Sequence, residues 1–486
     1  MDTNKHAVLP NVLFIAVGII GFFATQAWPQ ENFDDFEPEN SSRSNRSPMP
    51  GYAAAADSWS GMRSLFNPST PSLSDRTLQM GTFLDIGGGV ERGTVDDIDR
   101  KIDTLIDDFE DLEERGEDIA AGFDPSDPPD DLEPWLNDLD AFVTEANQTV
   151  DEITDDGYFK VGGTVMLPLL PIAVSSDVIR GTLALSAGAF GESRLAMESS
   201  GDAISTDLQG IDSADVNDVY MDGDTPVIEL NDSSLHYFEY TDNAGVALQG
   251  GEVTYLGLGF SAKLWGNETR RLHAGTTVNA YRAELTRAGV LLDEFVDEED
   301  DRDLDKIYED EFSYEKTSTE VGVDAGVLWV DNYYSLGGVI RNINEPSFDY
   351  PDTSDSEFYQ QHPQALRGGD EWTMDRQSTV QAALHTLDRR WMLSGAIDLN
   401  NATDTTGDDY RWLSVQGSYE PENSWISPRI GYRRNMTGEE LTYYSAGVSI
   451  GGNVHIDVAR TAETTSLDGS DYPRGFQINL TMGYRF

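Results

Sequence analysis

From Phe476 to Phe486 the chain alternates without interruption. Phe476, Ile478, Leu480, Met482, Tyr484 and Phe486 are apolar or aromatic, and Gln477, Asn479, Thr481, Gly483 and Arg485 between them are not. A strand sends successive side chains to opposite faces, so this stretch has one greasy face and one polar face. About 9–11 residues tilted by about 45° cross the hydrocarbon layer of a membrane, and apolar-out, polar-in alternation suits lipid on one side and a wet lumen on the other. The aromatic residue Phe486 in last place resembles the signal read by the outer-membrane barrel-insertion machinery, which the C-terminal strand would engage.

The same rhythm recurs upstream. It runs through Trp391, Leu393, Gly395, Ile397 and Leu399; Leu413, Val415, Gly417 and Tyr419; Ile426, Pro428, Ile430 and Tyr432; Tyr444, Ala446, Val448 and Ile450; and Val454, Ile456 and Val458. Short polar punctuation separates these runs: 400–409, 421–423, 436–439, 451–453 and 461–471. Runs of this kind divided by turn residues predict a meander of antiparallel hairpins. Earlier strands are expected at 81–91, 157–168, 178–190, 252–265, 271–288, 317–331 and 333–344, with a hairpin near 226–249 and one strand near 374–388. The fold class is therefore all-β, a transmembrane antiparallel β-barrel of about 14 to 16 strands. It has to be closed, because an unpaired strand edge in lipid costs several kcal/mol per group. Trp265, Trp329, Tyr333, Tyr334, Trp391, Trp412, Trp425, Tyr443 and Tyr444 lie near predicted strand ends and are candidates for interfacial girdles.

Between the first two strands the period changes. Ile98, Ile102, Leu105, Phe109 and Leu112 recur at four-three spacing, with Thr94 placed as an N-cap three residues before Asp97. After a Pro-rich break at 125–129, a second stripe carries Leu132, Leu136, Leu139, Phe142, Ala146, Val150 and Ile153. Together they predict a helical hairpin inserted at about 95–155. The two stripes either bury each other, or the hairpin plugs the lumen, caps the periplasmic mouth or docks a partner. The acidic outer faces argue against its lying on an anionic membrane surface.

The start of the chain adds a targeting segment. Lys5 and His6 precede an apolar run from Val12 to Ala24, and Thr25-Gln26-Ala27 offers small residues of the kind a signal peptidase reads. The expected organisation is a signal peptide at 1–27, a disordered or extended segment at 28–80, and an outer-membrane barrel over 81–486.

Composition then narrows function. The chain has 486 residues, no cysteine, and 88 acidic against 32 Lys plus Arg residues, for a formal charge of −56. Thiol chemistry and disulfides are excluded, and nucleic acid would be repelled. Such acidity suits an organism living in brine, where salt screens the repulsion. It equally suits an ordinary protein with solvated acidic loops. The run 293–305 and the stretch 218–224 hold enough carboxylates to attract divalent cations but lack EF-hand spacing, and they read as extracellular loops. Outer-membrane lipid and lipopolysaccharide are the expected surroundings. The histidines His6, His236, His273, His362, His385 and His455 are scattered, and there is no G-x-S-x-G elbow, H-E-x-x-H helix or P-loop. His273 and His455 stand on the polar side of alternating strands. No catalytic, cofactor-binding or metal-binding residue is nominated, no cofactor is called for, and the expectation is a non-enzymatic barrel.

Several words in the chain resemble a known family. Phe66-Asn67-Pro68-Ser69 resembles a "YNPA" turn, 335–348 (SLGGVIRNINEPSF) a strand and turn of the form "lG-vv-N-p-F", and 396–400, 412–419 and 429–433 its late strands. These are features of the conjugal transfer TraF-like barrels, which are distantly similar to long-chain fatty-acid transport barrels. Ser69 stands where the family usually has Ala. The resemblance implies an outer-membrane barrel associated with conjugal transfer or envelope assembly, with envelope or transfer-apparatus proteins as partners. The alternative is a passive channel or fatty-acid-type transporter for hydrophobic solutes. A thioredoxin-like protein bears the same family name, and the absence of cysteine excludes it here.

Overall fold

The structure is a computed structural model. It describes residues 67–483, less 74–77, 80–82, 95–97, 124–131, 167–171, 206–215, 223–224, 231–233, 237–238, 241–242, 268, 292–313, 389, 422–424, 452–453 and 468–469. The expected signal peptide, most of the 28–80 segment, the acidic run 293–305 and the terminal Tyr484–Phe486 lie outside the described residues.

Fourteen strands close into one antiparallel ring. They are β1 Phe83–Arg92, β2 Tyr158–Met166, β3 Gly181–Ser199, β4 Ala244–Gly266, β5 Arg271–Leu291, β6 Glu315–Val330, β7 Tyr334–Arg341, β8 Gln377–His385, β9 Trp391–Asp398, β10 Trp412–Tyr419, β11 Ile426–Asn435, β12 Thr442–Ile450, β13 Val454–Thr461 and β14 Gly475–Gly483. Each pairs with its neighbour in sequence, and β14 closes the ring on β1 through Ile86↔Leu480 and Gly88↔Ile478. The β2–β3 ladder ends at Met166↔Gly188, and a short strand, Ile172–Ser176, takes over the edge of β3 from Ile172↔Leu185.

The radial order of polarity is inverted relative to a water-soluble protein. Along β8, Gln377, Thr379, Gln381 and His385 are buried while Val380 and Leu384 are exposed; along β9, Ser394 and Asp398 are buried while Leu393 and Ile397 are exposed. Ile430, Ile456, Val458, Phe476 and Ile478 also face outward. In water such a surface would be a very large uncovered apolar patch, and in a bilayer it is the lipid-facing belt. The predicted parity of every late strand is the observed one, and His273 and His455 are buried inside as expected.

The two rims differ. Connections 267–270, 331–333, 386–390, 420–425 and 451–453 are short turns at one end, whereas 93–157, 200–243, 292–314 and 342–376 lie at the other. Outer-membrane barrels carry short turns on the periplasmic side and long loops outside, which fixes the orientation and places the protein in the outer membrane. Trp265 stacks on Trp329, Trp391 and Tyr419 meet in a tilted pair, and with exposed Tyr333 and Trp425 they ring the short-turn rim as a girdle. Trp412 and Tyr443 depart from the girdle expectation. They fall on the polar parity of β10 and β12, and both turn into the lumen.

The strands also differ in length. β7 to β14 have eight to ten residues, about what lipid requires, but β3 to β6 have 16 to 23. The surplus forms a wall beyond the membrane, and segment 342–376 packs against its inner face. Phe348, Tyr350 and Trp372 bury against Val253 and Leu285, while Phe358 and Tyr359 bury against Ala247 and Leu291.

Two helices lie between β1 and β2, α1 Ile98–Gly122 and α2 Leu132–Asp156. Trp135 Nε1 donates to the Leu112 carbonyl (2.9 Å), and Lys101–Glu152 and Arg115–Asp138 pair along the same antiparallel register. Their connection leaves β1 and returns to β2 on the long-loop side, so the hairpin stands at the outer mouth and not the periplasmic one. The stripes do not only bury each other. Leu112, Ile119, Trp135, Leu136 and Leu139 share a core with Val216, Val219 and Ile228 of a three-stranded sheet (Val216–Asp222, Thr225–Leu230, Ser234–His236). That sheet occupies much of the stretch expected to supply a barrel hairpin near 226–249; it lies outside the ring, and the end of that stretch begins β4.

Candidate functional site

A barrel's chemistry lies on its inner face. Every second residue of each strand points there, and most of those residues are small or hydrogen-bonding; Leu328 and Val330 meet Leu73, and Val253 and Leu285 meet segment 342–376. Buried Ser261, Thr277 and Gln381 each have a side-chain oxygen with no protein partner, as do Ser418 and Asn479 on the same face.

At the periplasmic end the lumen holds the chain's own N-terminal turn. Asn67 Oδ1 accepts from the Ser69 amide (3.0 Å) and hydroxyl (2.7 Å), and its carbonyl accepts from the Thr70 amide and hydroxyl. The self-capped turn is fully buried and tied to the wall by Asn67 Nδ2 on the Val327 carbonyl (3.4 Å) and by a 2.7 Å hydrogen bond between Ser72 Oγ and His273 Nδ1. Leu73 packs on Leu328 and Val330. Two glycines make the seat. A β-carbon on Gly275 would collide with the Pro68 carbonyl and stand 2.8 Å from the Ser69 nitrogen; one on Gly326 would collide with Asn67 Oδ1 and stand 3.0 Å from Pro68 Cδ.

Farther up, the connection 399–411 between β9 and β10 does not stay on the rim. In a ring of fourteen, β9 and β10 stand opposite β2 and β3, and the tip of this connection ends among the charges of β2 and β3. Asp404 pairs with Lys160, and Asp408 pairs with Lys160 (3.2 Å), Arg194 (3.2 Å) and Arg367 (3.2 Å); Glu192 lies 3.3 Å from Lys160. The connection is thus a strap across the bore. Its tip is prebuilt: Asp404 Oδ1 accepts from the amides of Thr406 (2.9 Å) and Asp408 (3.1 Å), and Gly407 adopts φ +82°, a left-handed conformation that glycine tolerates. On one flank Trp372 Nε1 donates to the Thr403 carbonyl (3.0 Å) and the Tyr350 hydroxyl to the Thr405 carbonyl (2.8 Å). Tyr350 is itself wedged under the Arg287 guanidinium at 3.7 Å from its ring centre.

On the other flank the bore stays open as a cavity of about 880 Å³, lined mainly by β9 to β14, β1, β2 and the strap. Its wall is charged. Arg429 grips Asp457 bidentately (2.8 and 2.7 Å) and touches Ser449 and His455, with Gly447 leaving the room that the pair occupies. Arg433 lies over the Trp412 ring at 3.5 Å, and Glu91 accepts from the hydroxyls of Tyr158 (2.6 Å) and Tyr443 (2.9 Å). Burial works to raise the Asp404 carboxyl, but the Lys160 charge and the bonds from Lys160 and Thr406 outweigh it and hold it below the ordinary carboxylate range.

Of the histidines weighed in the sequence, His273 serves the plug through Ser72 (2.7 Å), and His455 joins the Arg429 cluster, hydrogen-bonded to Ser449 (2.7 Å). Among the described residues no group of three or more His, Asp or Glu side chains converges on a metal-sized site. Sequence reasoning passed over the strap, the latch of Lys160, Arg194 and Arg367, and the two seat glycines.

No protein of curated function matches the sequence. In fold the chain is similar to the toluene transporter TbuX of Ralstonia pickettii (TM-score 0.40, 12% identity, covering 90% of this chain and 97% of that one). It is similar also to the toluene transporter TodX of Pseudomonas putida (0.37, 10%, 90% and 96%) and to a Pseudomonas aeruginosa FadL homologue (0.36, 11%, 90% and 96%). A family described as "F plasmid transfer operon, TraF, protein" matches residues 64–398, from just before the plug turn to the end of β9. That span is well over half of the sequence and includes the 66–69 and 335–348 words; the chain belongs to this family.

Proposed function

We propose that the barrel is a plugged conduit that passes small polar solutes across the outer membrane. The observation that carries this reading is the lumen itself: a cavity of about 880 Å³ bounded by Arg429–Asp457, Arg433 and Glu91. Hydrocarbon entering it would have to desolvate those charges with nothing to replace their water, at several kcal/mol per group. A polar solute exchanges water for side-chain partners at little cost. The purified protein in liposomes should admit small sugars and amino acids faster than empty liposomes do, and should show no saturable uptake of toluene or a fatty acid. Hydrocarbon uptake without polar uptake would reverse the assignment.

Family membership favours a second reading, a role beside conjugal transfer. Here the barrel acts as a non-enzymatic envelope component during mating, with envelope or transfer-apparatus proteins as partners. Deleting the gene from a donor cell should then lower transfer frequency, with restoration by the intact chain. A donor that mates normally without it would remove this reading and leave the conduit in place.

A further inference from the structure

We infer that the 399–411 strap is the selectivity element of the conduit, held across the bore by a breakable ion-pair latch; this rests on the conduit reading above. The strap contributes no strand to the ring, so the barrel does not need it in order to close. Its tip nonetheless spans to the opposite wall, where two carboxylates, Asp404 and Asp408, meet three cations, Lys160, Arg194 and Arg367. These contacts join segments more than 200 residues apart, except that of Arg367, which sits on the packed 342–376 segment.

The latch divides the lumen unequally. On the β4–β6 side the space is filled by Phe348, Tyr350 and Trp372, to which the strap is hydrogen-bonded, so passage is confined to the cavity on the other flank. Lys160, Arg194 and Arg367 are paired with Asp404 and Asp408, with Glu192 beside Lys160. With Glu439 held by Arg474 (2.8 Å), what remains on the cavity wall is three arginines, Arg341, Arg429 and Arg433, against four carboxylates, Glu91, Asp375, Asp409 and Asp457. A narrow window with surplus negative charge admits cations and neutral polar solutes ahead of anions. Freeing the strap widens the window and weakens that preference.

The test is ion conductance across planar bilayers holding the purified barrel, with a KCl gradient to read K⁺ against Cl⁻ preference. The variants are Asp404→Asn/Asp408→Asn, Lys160→Glu, Lys160→Glu/Asp404→Lys and Gly407→Val. The last forces the strap tip away from the 342–376 segment without changing a charge, because its β-carbon would stand 2.7 Å from Arg367 Cβ at a positive φ. Heat-dependent gel mobility verifies that each barrel has closed. The wild type should prefer K⁺. The carboxamide pair and Gly407→Val should each raise unit conductance about two-fold or more and reduce the preference; Lys160→Glu should raise conductance likewise while its added negative charge keeps K⁺ preferred, and the charge swap should return conductance toward wild type. Conductance that is present but unchanged in all latch variants, or preference for Cl⁻ in the wild type, overturns the inference and leaves the conduit standing. Absence of conductance in every form overturns both.

Discussion

Replacing Gly275 by valine should unseat the N-terminal turn while leaving the barrel closed. The glycine belongs to β5 and faces inward, and any β-carbon there occupies space taken by the Pro68 carbonyl and the Ser69 nitrogen. These are backbone atoms, so no rotamer change relieves the clash and the turn has to retreat. Retreat breaks the Ser72–His273 hydrogen bond (2.7 Å) and the Asn67 contact to Val327, at about 1 kcal/mol each. It also uncovers Pro68 and Leu73, worth about 1–2 kcal/mol of apolar burial. The sum, about 3–4 kcal/mol, shifts seating by roughly two orders of magnitude. The chain has no cysteine, so Thr70→Cys gives a single thiol at a fully buried plug position. Its modification by a membrane-impermeant maleimide should be about 100-fold faster with Gly275→Val than without it, because accessibility follows the fraction unseated. Equal rates in the two backgrounds would show that the turn is not held by this seat.

Two further outcomes follow from the same geometry. Leu393→Arg, on the outward face of β9, should lower barrel stability by about 2–4 kcal/mol in urea unfolding from bilayers, whereas Gln381→Lys on the inner face of β8 should cost far less. The folded-state pKa of Asp404 lies below its unfolded value, so its share of the latch is fully present above about pH 4 and is lost as pH falls through the folded value. Conductance through the wild type should therefore rise on acidification below about pH 4 and stay flat from there to neutrality.

What could be read in advance depended on the range over which a signal acts. Lipid on one face and water on the other impose period two on each strand separately, so Ile478 and Gln477 declared their sides without knowledge of any partner. The same local signal misled near 226–249, because any half-buried sheet alternates and nothing in those residues says whether the sheet covers a lumen or a helix pair. Trp412 and Tyr443 were placed by proximity to strand ends, where their parity would have placed them inside. The strap was read as ordinary turn punctuation, since Asn, Asp, Thr and Gly build a turn wherever they stand. Its meaning lies in Lys160 and Arg194, more than 200 positions away. Gly275 and Gly326 are equally silent in sequence, being defined by what Pro68 and Asn67 bring to them after folding.

Lipid and water meet the two faces of the wall in strict alternation along each strand. Single cysteines placed from Thr379 to Leu384 on β8, spin-labelled in bilayers and probed with oxygen and with a water-soluble nickel complex, test it most directly. Positions 380, 382 and 384 should favour oxygen and 379, 381 and 383 the nickel complex, out of phase with period two. Profiles that run in phase, or water access on both faces, would contradict it.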